Sequence, residues 1–187
     1  MLRPSFPLLT ERLLLRPFSL ADLDAYARYQ SQEGVVRYLY WGVRTREEIA
    51  EALRRRTELT EICRERDVLA LAVERRDAPG LIGDVILAWT SAANRTGEVG
   101  FVFDPAHQGR GYATEAAREM LRLGFEDLGL KRIVGRLDAR NDASARTLER
   151  LGMRREAHFV ENEWVKEEWT SEVVYAILDH EWRATRP

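Results

Sequence analysis

Residues 98–116 read as strand, glycine turn and helix start in immediate succession. Glu98-Val99-Gly100-Phe101-Val102-Phe103 is β-rich and ends at Asp104-Pro105; Gln108-Gly109-Arg110-Gly111-Tyr112-Ala113-Thr114-Glu115-Ala116 then leads into a helical stretch from Ala113 to Leu128. The first turn of such a helix has unpaired amide N–H groups, and its dipole adds positive potential at the same point. Gly109 and Gly111 lack a Cβ, so they can take positive φ and let a phosphate approach the backbone. The passage therefore predicts an anion site. It is not the dinucleotide fingerprint, because the third small residue falls on Thr114 and no acidic residue follows at the required distance. No Gly-Lys-Ser/Thr occurs, which excludes the P-loop.

The chain has 187 residues, enough for one domain spanning 1–187 with a full core. It is 45% hydrophobic and 32% charged, which fits neither disorder nor a membrane protein. The longest apolar run, Val68–Val73, is far short of a membrane span. Met1-Leu2-Arg3-Pro4-Ser5 lacks the apolar core of a signal peptide, and the single cysteine, Cys63, fits a reducing compartment. A cytoplasmic location is the expectation. Three histidines and one cysteine, unclustered, predict no metal site. A net charge of −2 gives no general attraction to nucleic acid, and Arg54-Arg55-Arg56 reads as solvated surface.

Leu9 to Phe18 reads as a strand. Ser19…Asp22 and Thr45…Glu48 resemble capping boxes, opening helices that reach about Ser31 and Arg64. Asp67–Glu74 and Leu81–Trp89 form a hairpin across the turn Asp77-Ala78-Pro79-Gly80, and a second turn, Asn94–Gly97, leads to the 98–103 strand. Arg132–Leu137 is a strand and Asn141–Leu151 a helix with Gly152 just past its end. Arg154–Val160 and Glu172–Leu178 read as closing strands joined by a charged loop. The order predicts an α/β (α+β) fold, a mixed, mostly antiparallel sheet flanked by helices.

In this order the chain resembles the GNAT acyltransferases, in particular the branch that includes the ribosomal-protein (alanine) N-terminal acetyltransferases. The likeness rests on Leu9–Pro17, on Glu98–Phe101 with Gln108–Ala116, on Asn141-Asp142-Ala143-Ser144 with Leu148–Met153, and on Trp169 with Val173, Val174, Tyr175 and Leu178. It implies that the anion is the pyrophosphate of coenzyme A, cradled by the backbone of Gln108, Gly109, Arg110, Gly111, Tyr112, Ala113 and Thr114. It also implies that strands 98–103 and 132–137 splay apart. The pantetheine arm would lie in the gap, on main-chain groups of Phe101, Val102 and Phe103.

Asn141, Ser144 and Leu148 share one helix face, which suits the wall of a cofactor channel; Asn141 also suits a plain N-cap. Arg146 and Arg150 lie on another face, either toward the coenzyme's 3′-phosphate or in solvent. Transfer of an acyl group to an amine needs a base, a polarised carbonyl and a stabilised thiolate. Glu98, beside the gap, is the candidate base. Many relatives carry a tyrosine as the acid where this chain has Leu148; Ser144 matches the serine assigned that role in the ribosomal branch.

The implied reaction moves an acetyl group from acetyl-CoA, without a metal, to a primary amine, with a protein N-terminus the first expectation. A small amine such as an antibiotic or polyamine is the alternative, and a non-catalytic acyl-CoA sensor is another. Segments 30–45 and 158–169, rich in aromatic and acidic residues, suit a cationic acceptor. Neither nucleic acid nor membrane is an expected partner, and a homodimer is left open.

Overall fold

The computed structural model describes residues 1–184, and their strands join in one eight-stranded sheet. The strands are β1 (Leu8–Leu9), β2 (Leu13–Arg16), β3 (Val68–Arg75), β4 (Ala78–Ser91), β5 (Thr96–Phe103), β6 (Arg132–Asp138), β7 (Arg154–Val165) and β8 (Glu168–Leu178). The helices are α1 (Leu23–Gln30), α2 (Glu33–Val36), α3 (Arg46–Thr57), α4 (Tyr112–Arg122), α5 (Asp142–Arg150) and α6 (Asp179–Ala184). The spatial order is β1-β2-β3-β4-β5-β6-β8-β7, antiparallel throughout except for β5 against β6. This is the mixed sheet expected from the sequence. Its parallel pair falls where α4 makes the crossover a parallel connection requires.

The apolar run of β3 is continuous because both of its faces are covered. Leu69, Leu71 and Val73 pack into the core that includes Ala116, Met120 and Leu121 of α4 and Leu148 of α5. Ala70 and Ala72 point the other way, toward Tyr26 and Tyr29 of α1 and Ile49 and Leu53 of α3. That second helical layer covers only part of its face. Beyond it, Val134, Val174 and Ala176 form a small cluster with Ala157, drawn from β6, β8 and β7 alone.

Both capping boxes are present. Ser19 Oγ accepts from the Ala21 amide and Asp22 from the Ser19 amide; Thr45 and Glu48 exchange the equivalent bonds. The helix expected to reach Arg64 stops at Thr57 instead, because the following residues find partners elsewhere. The Leu59 carbonyl accepts from the Ala70 amide, and Ile62 bridges Leu2. Arg54 and Arg55 are exposed and pair with Glu51, as a solvated face should. Arg56 departs from that reading: it lies 2.9 Å from the buried Asp84 and over the rings of Phe18 and Tyr26.

Other boundaries also differ. Strand 9–18 is a tight hairpin, β1 with β2, broken at Thr10 to Arg12. Ala78-Pro79-Gly80 belongs to β4 past an irregular register, so the turn is at Arg76-Asp77. The helix after the glycine turn ends in a π-helical turn, Leu123–Asp127. The short α2 and α6 had no sequence expectation. The largest correction concerns the charged loop, which is a continuation of β7 and β8. Lys166 and Glu167, at φ 50° and 64°, close them as a two-residue left-handed turn. Trp164 and Trp169 face each other across it.

Candidate active site

The strand pair β5–β6 bonds only through Thr96↔Arg132, Gly97↔Ile133 and Glu98↔Val134. Beyond Glu98 the strands part. Val99 to Phe103 stay paired with β4 on one side, and Gly135 to Asp138 with β8 on the other, so two strand edges face one another without a ladder between them. Unpaired main-chain donors and acceptors need a partner, and a ligand with amide groups can supply one as an added strand would. A cavity of about 620 Å³ opens at this splay.

Phe101, Val102 and Phe103 form one wall of the cavity, and Gly135, Arg136 and Leu137 of β6 the other. The glycine turn also lines it, through Gln108, Gly109, Gly111, Tyr112, Ala113 and Thr114. Gly109 and Gly111 have φ of 75° and 81°, and Gly111 is the N-cap of α4. Positive φ was the sequence expectation for both, and an L side chain would be strained there. Gln108 Nε2 donates to the Phe103 carbonyl, 2.9 Å away, tying the turn to the end of β5. Arg110 is exposed and does not line the cavity; its carbonyl points back to Arg12.

Asn141 and Ser144 line the same cavity from the start of α5, with Arg146 and Arg150 further along that helix. Asn141 is also the N-cap, its Oδ1 accepting from the Ser144 amide at 3.1 Å. The Ser144 hydroxyl has no hydrogen-bond partner among the described residues. Leu148 is 2% exposed and sits against Gly135, where an added Cβ would lie 2.7 Å from its methyl group. Glycine at 135 is what lets α5 approach the sheet so closely.

Glu98 is half-buried and does not line the cavity; it occupies the last β5–β6 register pair, at the point of the splay. Burial pushes its carboxyl above the ordinary value, Arg136 pulls it back, and the nearby Glu172 charge pushes it up again. Tyr38, Tyr40 and Trp41 also line the cavity. Tyr40 Oη donates to Glu163 at 3.2 Å, and its phenol is pushed up to about 12 by burial and by the charges of Glu163, Glu172 and Glu98. Lys166, at the hairpin tip, donates to the Val36 and Arg37 carbonyls at 2.7 and 3.0 Å, fastening the tip to this segment. Trp164 and Trp169, expected to join the aromatic wall, instead form an exposed edge-to-face pair outside the cavity.

One brace had no counterpart in the sequence reading of the site. Glu115, in the first turn of α4, accepts from Thr10 Oγ1 at 2.6 Å and from the Arg12 amide at 2.7 Å. It also pairs with the Arg12 guanidinium at 2.7 Å, which in turn donates to the Arg110 carbonyl at 3.0 Å and lies over the Tyr112 ring. The glycine turn is thus held from outside by the loop between β1 and β2. Among the described residues no cluster of His, Cys, Asp and Glu could hold a metal, and no helix is long and apolar enough to cross a membrane.

Comparison with known proteins agrees with this geometry. The family model described as an acetyltransferase (GNAT) domain matches residues 12–154. The uncharacterized N-acetyltransferase YnaD of Bacillus subtilis (strain 168) is 36% identical over 173 residues, covering 92% of this chain and 97% of its own. Among solved structures, an acetyltransferase of the GNAT family from Bacillus anthracis superposes with a TM-score of 0.83 at 31% identity, covering 94% of this chain and 99% of its own. Two more remote structures share the fold. One is the spermidine N-acetyltransferase of Vibrio cholerae, solved with CoA and spermine (TM-score 0.77, 21% identity, 93% of this chain and 99% of its own). The other is RimL, a ribosomal L7/L12 alpha-N-protein acetyltransferase, solved with CoA (TM-score 0.76, 15% identity, 91% and 96%).

Proposed function

Because this chain belongs to the GNAT acetyltransferases, and so is an acetyl-CoA-dependent N-acetyltransferase, we propose that its acceptor is the N-terminal amine of a polypeptide. The observation that carries the reading is the exposed edge strand β7, on the far side of β8 from the splay. The cluster of Val134, Val174 and Ala176 between them is buried, with Ala157 packed on it, but Phe159, paired in register with Glu172, is 46% exposed. An extended chain can lie along this edge with its amine directed toward Glu98, whereas a small amine gains little from an exposed strand. Glu98 and Glu163 beside Tyr40, with Glu172 already paired to Arg136, leave a net negative charge that favours a cationic group at the same place. They would also suit a polyamine, which is the second reading.

In this proposal the Gln108–Thr114 backbone holds the pyrophosphate of acetyl-CoA, and the free edge at Phe101, Val102 and Phe103 pairs with the pantetheine amides. An N–H of the same edge polarises the thioester carbonyl. The amine nitrogen bonds to the acetyl carbon and loses its proton, directly or through water, to Glu98 at the point of the splay, a carboxyl whose raised proton affinity suits a base. The carbon–sulfur bond breaks, and Ser144, with a hydroxyl free of other partners, donates to the leaving sulfur. A thiol with a pKa near 8.5 leaves with little help, so a serine suffices where Leu148 offers no proton.

The test is release of CoA thiol with acetyl-CoA and a panel of unblocked peptides, polyamines and aminoglycosides. Turnover with peptides above the small amines is the expected result. Turnover confined to polyamines would move the assignment to the second reading.

A further inference from the structure

The carboxylate at the point of the splay has two charged neighbours on the adjoining strands. Arg136, on β6, ion-pairs with Glu98 through Nε at 3.6 Å, just outside hydrogen-bonding distance, while its Nη1 donates to both oxygens of Glu172 at 3.1 Å. Glu172, on β8, is 5% exposed, and Arg136 is the only group its side chain bonds among the described residues. A carboxylate that deeply buried is costly unless paired. One cation thus stands between two carboxylates and is held by the more buried one. From the segment opposite, Tyr40 is the other titratable group near Glu98, and β4 presents only Ala88 in register.

We propose that Glu172 is a positioning residue for the acyl transfer: it holds the Arg136 guanidinium to itself and so keeps it from hydrogen-bonding the Glu98 carboxylate, which stays free to take the proton of the incoming amine. This rests on Glu98 being the base. A carboxylate engaged by a guanidinium has its lone pairs occupied and its proton affinity lowered. With Glu172 neutralised, Arg136 is released toward Glu98 and the like charge that raises Glu98 disappears; both changes weaken the base. With Arg136 removed, Glu98 faces Glu172 alone and binds its proton more tightly. Two residues that touch no reacting atom therefore act on Glu98 in opposite directions.

The experiment compares the full-length wild type with Glu172→Gln, Arg136→Gln and Glu98→Gln, using acetyl-CoA and one peptide amine at saturation. It reads the pH profile of kcat and, independently of turnover, the carbon-13 titration of the Glu98 carboxyl, assigned by its loss in Glu98→Gln. Glu172→Gln should move the acid limb and the Glu98 midpoint down by about one pH unit, and Arg136→Gln should move both up by about as much. Glu172→Ala, which removes the acceptor oxygens altogether, should move them further the same way as Glu172→Gln. A midpoint unmoved in these variants, or moved in one direction by both neighbours, overturns the proposal while leaving the base assignment intact. An acid limb that survives in Glu98→Gln overturns the base assignment itself, and the proposal with it.

Discussion

Glu115→Gln is the sharpest probe of how the anion turn is held. The wild-type carboxylate receives the Thr10 hydroxyl, the Arg12 amide and the Arg12 guanidinium, all within 2.6–2.7 Å, and its side chain is 15% exposed. Glutamine keeps one oxygen for Thr10 and the Arg12 amide. Its NH2, however, is turned on a guanidinium that can only donate. Two charge-assisted contacts are lost, and at 1.5–3 kcal/mol for a bond to a charged group, reduced for the exposed arginine, a loss of about 2 kcal/mol follows. For a domain of this size that is a fall in Tm of roughly 4–8 °C. Coenzyme A affinity should drop severalfold as well, because Arg12 also anchors the Arg110 carbonyl in the turn.

The effect has a pH signature. Burial raises the Glu115 carboxyl, but Thr10, the Arg12 amide and the Arg12 guanidinium together outweigh it and hold the group below its ordinary value. A depressed carboxylate stabilises the fold fully above its unfolded pKa, about 4.3, and loses that contribution as pH falls through the lower folded value. Denaturant unfolding of the two proteins from pH 7 to pH 3 should therefore show curves that converge in acid. A gap that is equally wide at pH 3, or absent at pH 7, would refute the brace.

Gly111→Val adds a branched Cβ at φ 81°, with Arg12 Nη2 already 3.4 Å from the position of that Cβ, and calorimetry should show coenzyme A binding at least tenfold weaker, about 1.4 kcal/mol, with the far-ultraviolet spectrum retained. Equal affinity in the folded variant would remove the turn from the site. Glu98→Gln should lower turnover by about 10²-fold at neutral pH, less at high pH where more of the amine is already neutral; a wild-type rate across the range would leave Glu98 a structural residue. Ser144→Ala should cost roughly tenfold in turnover and leave coenzyme affinity within one hydrogen bond of the wild type, about 1 kcal/mol. A loss wholly in affinity would make the serine a binding group only.

What could be read in the chain was what is written locally. The glycine turn, the two capping boxes and the hairpin of β3 with β4 each depend on residues a few positions apart. The splay could be expected only from family resemblance, since nothing local to β5 or β6 says that they part after Glu98. Misreadings arose where distant groups overrode local pattern. Ile62 is apolar like Ile49 and Leu53 of α3, yet it pairs with Leu2. Arg56 ends a run of arginines, yet Asp84 and two aromatic rings bury it. The far half of the β7–β8 hairpin lies at an exposed edge, so it lacks apolar alternation, and its turn is made by Lys166-Glu167 without glycine or asparagine. Thr10 and Arg12 stand more than a hundred residues from Glu115, and the Glu98–Arg136–Glu172 cluster exists only because β6 lies between β5 and β8.

The parting of β5 from β6 also bears on how the protein withstands heat. A sheet interrupted at its centre has amides in Val99–Phe103 and Gly135–Asp138 that bond to no neighbouring strand across the gap. They should exchange with solvent faster than those of the intact ladders beside them. With the donor lying there as proposed, those amides gain partners, and binding restores the missing cooperativity between the two halves of the sheet. A ligand at a hundred times its dissociation constant adds about 2.7 kcal/mol to stability, roughly 5–11 °C for a domain of this size. The resilience of the folded chain is then set in part by the supply of its own acyl donor.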